Sequence, residues 1–147
     1  RPTNPNLALN RPSSEIPWGN PTFRAAYAFD GSACCNAWAK SYDTNQWIQV
    51  DLGRVYDLRC VKIRWGTGTR NVHLGINYQV RVSSDNSSWS VASFRHVYQE
   101  GWQEHTVSSR GRYVRMYGSK SGSMIVSPYS GKYFAISEME VYEFGCP

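Results

Sequence analysis

The chain contains no C-x-x-C pair and no Cys/His cluster with the spacing of a zinc site, which argues against a metal–thiolate centre. It has no run of five like charges. Lysines and arginines number 16 against 11 acids, and this scattered net charge of +5 reads as solubility, with no nucleic-acid partner. No apolar run approaches the roughly 18 residues that a membrane-spanning helix needs. There is no internal repeat, no low-complexity block and no convincing amphipathic helix. Catalytic signatures are missing too. His73, His96 and His105 fall in no recognisable triad, and neither G-x-S-x-G nor H-E-x-x-H occurs. The carboxylates of Asp43, Asp51 and Glu104 have no supporting motif, so the sequence reads as that of a non-enzyme. No signal peptide is present, and a start at Arg1 rather than Met reads as a processed protein or an excised module.

What is present is aromatic and β-rich. The 147 residues amount to one ordinary domain, 1–147, with 41% apolar and 14% aromatic residues. Ten Tyr and six Trp favour strands and supply flat faces for stacking on ligands. In Asn45–Gly53, Ile48, Val50 and Leu52 alternate with Gln49 and Asp51, the period-2 pattern of a strand with one buried face. Asp51-Leu52-Gly53 reads as its closing turn, with Gly53 free to take a positive φ. Further strands are expected at Tyr56–Trp65, Asn77–Ser83, Gln103–Ser108, Arg112–Gly118 and Ile136–Phe144, while the first 25 residues read as irregular. Short strands separated by turn signals indicate an all-β antiparallel sandwich or barrel. The sequon Asn86-Ser87-Ser88 and an even count of four cysteines lean towards a secreted or extracellular protein.

Several motifs resemble one family when taken in order. They are Asn6–Pro12, Ala28-Phe-Asp-Gly31 followed by Trp38, Gln46-Trp-Ile-Gln-Val-Asp-Leu-Gly53, Tyr78–Trp89, Gly111–Tyr117 and Ser137–Tyr142. Together they are similar to the discoidin superfamily, which includes coagulation-factor C-type domains, discoidins and galactose-binding carbohydrate modules. The resemblance implies a discoidin-like jelly roll of about eight strands. It also implies a non-catalytic module that binds glycans, phospholipid surfaces, collagen or peptide termini through loops at one end of a rigid scaffold. The Gln46–Gly53 strand is then expected to hold the core and make no ligand contact.

The binding loops expected from this resemblance are 18–24 with 33–44, 66–76 and 119–134. Arg70 and Asn71 match loop residues that hydrogen-bond sugar hydroxyls in the galactose-binding modules. A guanidinium offers a planar donor fork to two neighbouring hydroxyls, and an amide both donates and accepts. A pyranose also needs a ring to pack on, and the candidates are Trp38, Tyr42, Tyr133 and Phe134. The galactose modules often carry a His after the position of Trp38. Here Ala39-Lys40 follows, so Lys40, Tyr42 and His73 are the candidates to stand in for it. The rival reading is an adhesion module for an anionic membrane surface or a protein. It would use Trp18 and Phe23 beside Arg24, or Met124-Ile125-Val126 between Lys120 and Lys132. Shallow sugar sites are weak singly, so avidity from an oligomer or a multidomain protein is expected.

The resemblance further implies a structural calcium ion. The carboxylates of Asp30 and Glu138 would hold it, with carbonyl oxygens of Tyr27, Ser32 and Ser137, since calcium takes six to eight oxygen ligands. Four cysteines allow three pairings. Family members with a C-terminal cysteine suggest Cys60–Cys146, which leaves Cys34 and Cys35 as an adjacent pair. Alternatively, one of that pair bonds Cys60 or Cys146, and the other is free or bonds another chain.

Overall fold

The computed structural model describes residues 3–15, 24–32, 38–41, 46–67, 72–73, 75–76, 78–95, 101–118, 124–125 and 133–147. Their strands are β1 (Ser13–Glu15), β2 (Trp38–Ser41), β3 (Gln46–Thr67), β4 (Val72–His73), β5 (Gly75–Ile76), β6 (Tyr78–Ser83), β7 (Ser90–Arg95), β8 (Trp102–Gly118), β9 (Met124–Ile125) and β10 (Tyr133–Tyr142). A 3₁₀ turn, Ala25–Phe29, lies between β1 and β2. All pairings are antiparallel, and the fold is a discoidin-like β-sandwich.

Two long strands build both layers. The first half of β3 pairs with β1 and with the second half of β8, which pairs in turn with β6, and β6 with β7. The second half of β3 pairs with the first half of β8 and with β10, which pairs with β2. The ladder is interrupted between Asp51 and Tyr56, where β3 turns from one layer to the other. Gly53 has φ +91°, as the sequence suggests, yet it marks a bend inside a continuous strand and not a strand end. On β8 the crossing falls at Gly111, where an added Cβ would overlap Val82 Cγ1 and lie 3.0 Å from the Ser83 carbonyl oxygen. Only glycine lets β8 and β6 approach so closely.

The alternating residues meet between the layers. Ile48, Val50 and Leu52 of β3 face Ile63 and Trp65 of the same strand, with Tyr78, Val80, Val82, Val114, Met116, Met139 and Val141, all buried. Burying each large aliphatic side chain contributes about 1.5–3 kcal/mol. Trp65 and Tyr78 meet edge-on across the core, with ring centroids 5.0 Å apart. One polar chain is sealed inside. The Tyr78 hydroxyl bonds Gln103 Oε1 and lies 2.7 Å from His105 Nε2, while His105 Nδ1 lies 2.9 Å from Ser93 Oγ. Both nitrogens of His105 are thus engaged by hydroxyls in the interior, which fits a satisfied core network and not an exposed base. The Cys60–Cys146 disulfide ties β3 to the C-terminal segment with a Cα–Cα distance of 5.1 Å, one of the pairings left open by sequence.

The outward faces of the two layers differ. On the β10–β3–β8 layer, Lys62 stands opposite Glu104 on one side and Glu140 on the other. Its Nζ lies 4.0 Å from Glu104 Oε2 and 4.9 Å from the centre of the Trp102 ring. On the other layer three ranks cross the strands, namely Trp47–Tyr117–Gln79–Phe94, Gln49–Arg115–Arg81–Val91 and Asp51–Tyr113–Ser83. Arg115 is sandwiched between Trp47 and Trp89, at 4.1 and 4.0 Å from their ring centres. Its Nε and Nη2 donate to Gln49 Oε1 at 3.0 and 2.6 Å. Arg81 stacks 3.8 Å from the centre of the Tyr117 ring and donates from Nε to Gln79 Oε1 at 2.8 Å. Arg112, by contrast, forms a bidentate pair with Asp51 at 2.7 and 2.9 Å.

Candidate functional site

The pairing registers bring many strand ends to one pole of the sandwich. Gln46 is opposite Gly118, Gly118 opposite Tyr78, Tyr78 opposite Arg95, Arg64 opposite Trp102, and Tyr133 opposite Ser41. Glu15 pairs with Ile48, so β1 also points there. The other pole is closed by short, internally bonded turns. In the turn after β6, Asp85 Oδ1 accepts from the Ser87 and Ser88 amides at 2.9 and 2.8 Å, and these bonds hold its carboxyl below the usual range. Asn86 takes a left-handed φ of 63°, is exposed, and accepts from Gln49 Nε2 at 3.0 Å.

Several sequence candidates are placed at the first pole by their backbone. Trp38 and Lys40 lie on β2, opposite Ile136 and Phe134. Tyr133 and Phe134 open β10 instead of preceding it, with Tyr133 opposite Ser41. His73 on β4 pairs with Gly66, and Met124–Ile125 pairs with Gly75–Ile76. Arg70, Asn71, Tyr42, Trp18, Phe23, Lys120, Val126, Lys132, Cys34 and Cys35 lie outside the described residues.

The cation-site candidates are described in full. Ala25, Ala28 and Phe29 of the 3₁₀ turn are buried, and the Asn10 amide donates to the Phe29 carbonyl at 2.7 Å. This seats Asp30 and Gly31 against the middle of β10, at Glu138. Gly31 has φ +84°, and a Cβ there would lie 3.1 Å from Leu9 Cδ1. Its amide donates to Glu138 Oε2 at 2.8 Å, while the Ser32 amide donates to Asp30 Oδ1 at 2.9 Å. Glu138 is completely buried, and its Oε1 has no close hydrogen-bond partner among the described residues. Burial pushes its carboxyl up to about 8; the Gly31 amide opposes the rise, and the charges of Asp30 and Glu140 add to it.

The ladder shifts register between Ile136 and Glu138, which takes Ser137 out of regular pairing. Arg64 Nη1 donates to Ser137 Oγ at 3.2 Å, and Ser137 Oγ donates to the Arg64 carbonyl at 3.1 Å. Tyr27, within the 3₁₀ turn, is exposed. Among the described residues no three His, Cys, Asp or Glu side chains gather to hold a metal, so a cation here would depend on two carboxylates and main-chain oxygens. The orphaned Glu138 oxygen and the adjacent carboxylate of Asp30 fit a hard divalent cation.

Sequence reasoning missed the aromatic and arginine ranks on the outer sheet face. Alternation alone marks Trp47, Gln79, Arg81, Arg115 and Tyr117 as outward residues. Their juxtaposition depends on register, which links three strands distant in the chain.

The family description "F5/8 type C domain" matches residues 11–137. Among solved structures, the chain is similar to chitosan-binding module 1 of a chitosanase/glucanase from Paenibacillus sp. IK-5. Identity is 27%, coverage 93% of this chain and 98% of that one, and the TM-score 0.74. Module 2 of the same enzyme, in complex with chitotriose, is 24% identical, with coverages of 93% and 99% and a TM-score of 0.74. A Clostridium perfringens module in complex with GalNAc-β-1,3-galactose is 20% identical, with coverages of 94% and 99% and a TM-score of 0.71. No curated protein matches the chain in sequence.

Proposed function

The chain belongs to the F5/8 type C domain family, and from that footing we propose that it is a non-catalytic, extracellular carbohydrate-binding module of lectin type. The observation that carries this reading is the near-complete match, at 27% identity, to a module that binds chitosan. Gathering strand ends at one pole of a rigid sandwich supplies the platform for a loop-borne site. Within that site, Arg70 and Asn71 hydrogen-bond the hydroxyls of a galactose-like sugar, and one of the rings at Trp38, Tyr42, Tyr133 or Phe134 packs on its apolar face. Lys40 and His73 flank the sugar. The Cys60–Cys146 disulfide and the exposed turn carrying the Asn86 sequon support an oxidising, secreted setting.

Calorimetric titration with galactose, N-acetylgalactosamine and chitotriose, beside co-sedimentation with phosphatidylserine vesicles, tests the reading. Expected is weak single-site binding of a galactose-type sugar that Arg70→Ala abolishes. Vesicle binding with no heat from any sugar would replace this function with the adhesion reading.

Asp30 and Glu138 would hold a structural calcium ion, with carbonyls of Tyr27, Ser32 and Ser137. Calcium bound there supplies the positive charge that two adjacent carboxylates otherwise lack. Glu138 must give up the proton favoured by its burial, so calcium uptake near neutral pH should release protons. Calorimetry in buffers of different ionisation enthalpy reads that release directly. No calcium binding would remove the cation site, and binding with equal heats in all buffers would mean that Glu138 is already ionised.

A further inference from the structure

The outer face of the β1–β3–β8–β6–β7 layer carries an electrostatic arrangement that the loop-borne sugar site does not use. Arg81 and Arg115 stand directly opposite one another on neighbouring antiparallel strands. Like charges in that relation repel. Burial and the charge of Arg81 both push Arg115 below the ordinary guanidinium value. Neither arginine is paired with an acid among the described residues. Each is held instead by a neutral amide oxygen, Gln49 Oε1 for Arg115 and Gln79 Oε1 for Arg81. An amide fixes the direction of a guanidinium without cancelling its charge. Two other arginines are treated differently. Arg112 pairs with Asp51, and Arg110 pairs with Asp57 at 3.0 Å.

The rest of the face has the character of a saccharide platform. Trp47, Trp89 and Tyr117 clamp the two guanidiniums. Val91, opposite Arg81, and Phe94, at the end of the neighbouring rank, are exposed at 51% and 58%. Beside these ranks lies a cleft of about 300 Å³ lined by Ser14, Gln49, Asp51, Asn86 and Tyr113, among others. Rings and apolar side chains suit the C–H faces of pyranoses, the cleft offers hydroxyl and amide partners, and paired guanidiniums suit a carboxylate or sulfate.

We infer that this sheet face is a second binding site, specific for an acidic saccharide whose carboxylate or sulfate is received by Arg81 and Arg115 while its ring lies towards Phe94 and Val91. The anion relieves the repulsion that the free protein tolerates. The inference is independent of the loops, since its residues lie on the regular strands and the turn that follows β6.

The test uses a heparin-derived tetrasaccharide, tetragalacturonate, galactose and phosphatidylserine vesicles at about 0.15 M salt, where exposed charges act over only about 8 Å. Binding is read by calorimetry and by the indole N–H resonances of Trp47 and Trp89. One of the two acidic tetrasaccharides is expected to bind and to shift both indole signals. The heparin fragment identifies sulfate as the preferred anion, and tetragalacturonate identifies carboxylate. Arg81→Gln should weaken that binding about tenfold, the loss typical of a charge-assisted contact, without lowering the melting temperature or altering galactose binding. Val91→Glu places an internal carboxylate opposite Arg81 and should suppress binding while leaving the ring stack in place. It keeps the inference testable even if Arg81→Gln folds poorly. The site is overturned if neither acidic tetrasaccharide binds, if binding survives both variants, or if only vesicles bind.

Discussion

The two outward faces of the sandwich are made by the same two long strands and are chemically opposite. On one, Lys62 lies between Glu104 and Glu140, and its charge is answered within the sheet. On the other, Arg81 faces Arg115, and both are held by amides and rings that leave their charge intact. A face that neutralises itself is complete in water. One that orients two cations beside exposed apolar side chains is complete only with an anion. The contrast shows that position on a sheet says little about role until the cross-strand neighbours are known.

That contrast can be dismantled in graded steps. Both faces depend on β8 crossing between layers at Gly111, where a methyl group would overlap Val82. Gly111→Ala should cost about 3 kcal/mol or prevent folding, measured by urea denaturation. Arg115→Ala empties the gap between Trp47 and Trp89 and removes the donor to Gln49 Oε1. It should cost about 2 kcal/mol, well above the roughly 0.5 kcal/mol expected for Lys62→Ala on the opposite face. Cost for cost, the unneutralised arginine is the better embedded.

Acid should test the Arg112–Asp51 ion pair at the border of the aromatic face. The Arg112 guanidinium, assisted by the Gly53 amide, holds Asp51 below its ordinary value of 3.8. A depressed folded pKa gives stability that is present above that value and lost as pH falls through the lower folded one. Thermal melts of Asp51→Asn should therefore match the parent at low pH and fall below it above about pH 4. The smallest effect belongs to Arg81. With no carboxylate partner among the described residues to lose and a like charge removed, Arg81→Gln should change stability by no more than about 0.5 kcal/mol, with any change upward. A clear loss of stability would mean that the Tyr117 stack outweighs the repulsion.

Much of the scaffold is legible in the alternation of Ile48, Val50 and Leu52, of Tyr78, Val80 and Val82, and of Val114 and Met116. Gly53 was legible as a positive-φ residue but not as a bend, because turning a strand and ending it require the same backbone freedom. The three-residue β1 was invisible within the Pro- and Asn-rich start; so short an element is held by its pairing with β3 and shows no periodicity of its own. The burial of Glu138 was equally hidden. Nothing in Ser137-Glu-Met-Glu sets it apart from Glu140, yet it is sealed beneath Gly31. Its closeness to Asp30 links residues more than a hundred positions apart. Alternation within one strand cannot show such closeness between distant segments.

The sequence by itself determined the sandwich, its buried faces and its family, because side-chain period and turn chemistry are local properties of the chain. Tertiary structure decided which outward residues became neighbours. Register brings Arg81 to Arg115 and Lys62 to Glu104 and Glu140, and it is set by the joint packing of strands far apart in sequence. The Gln46–Gly53 strand illustrates both halves. Its inward residues hold the core as expected, while its outward Trp47 and Gln49 acquire a role only when β8 lays Arg115 between them and Trp89.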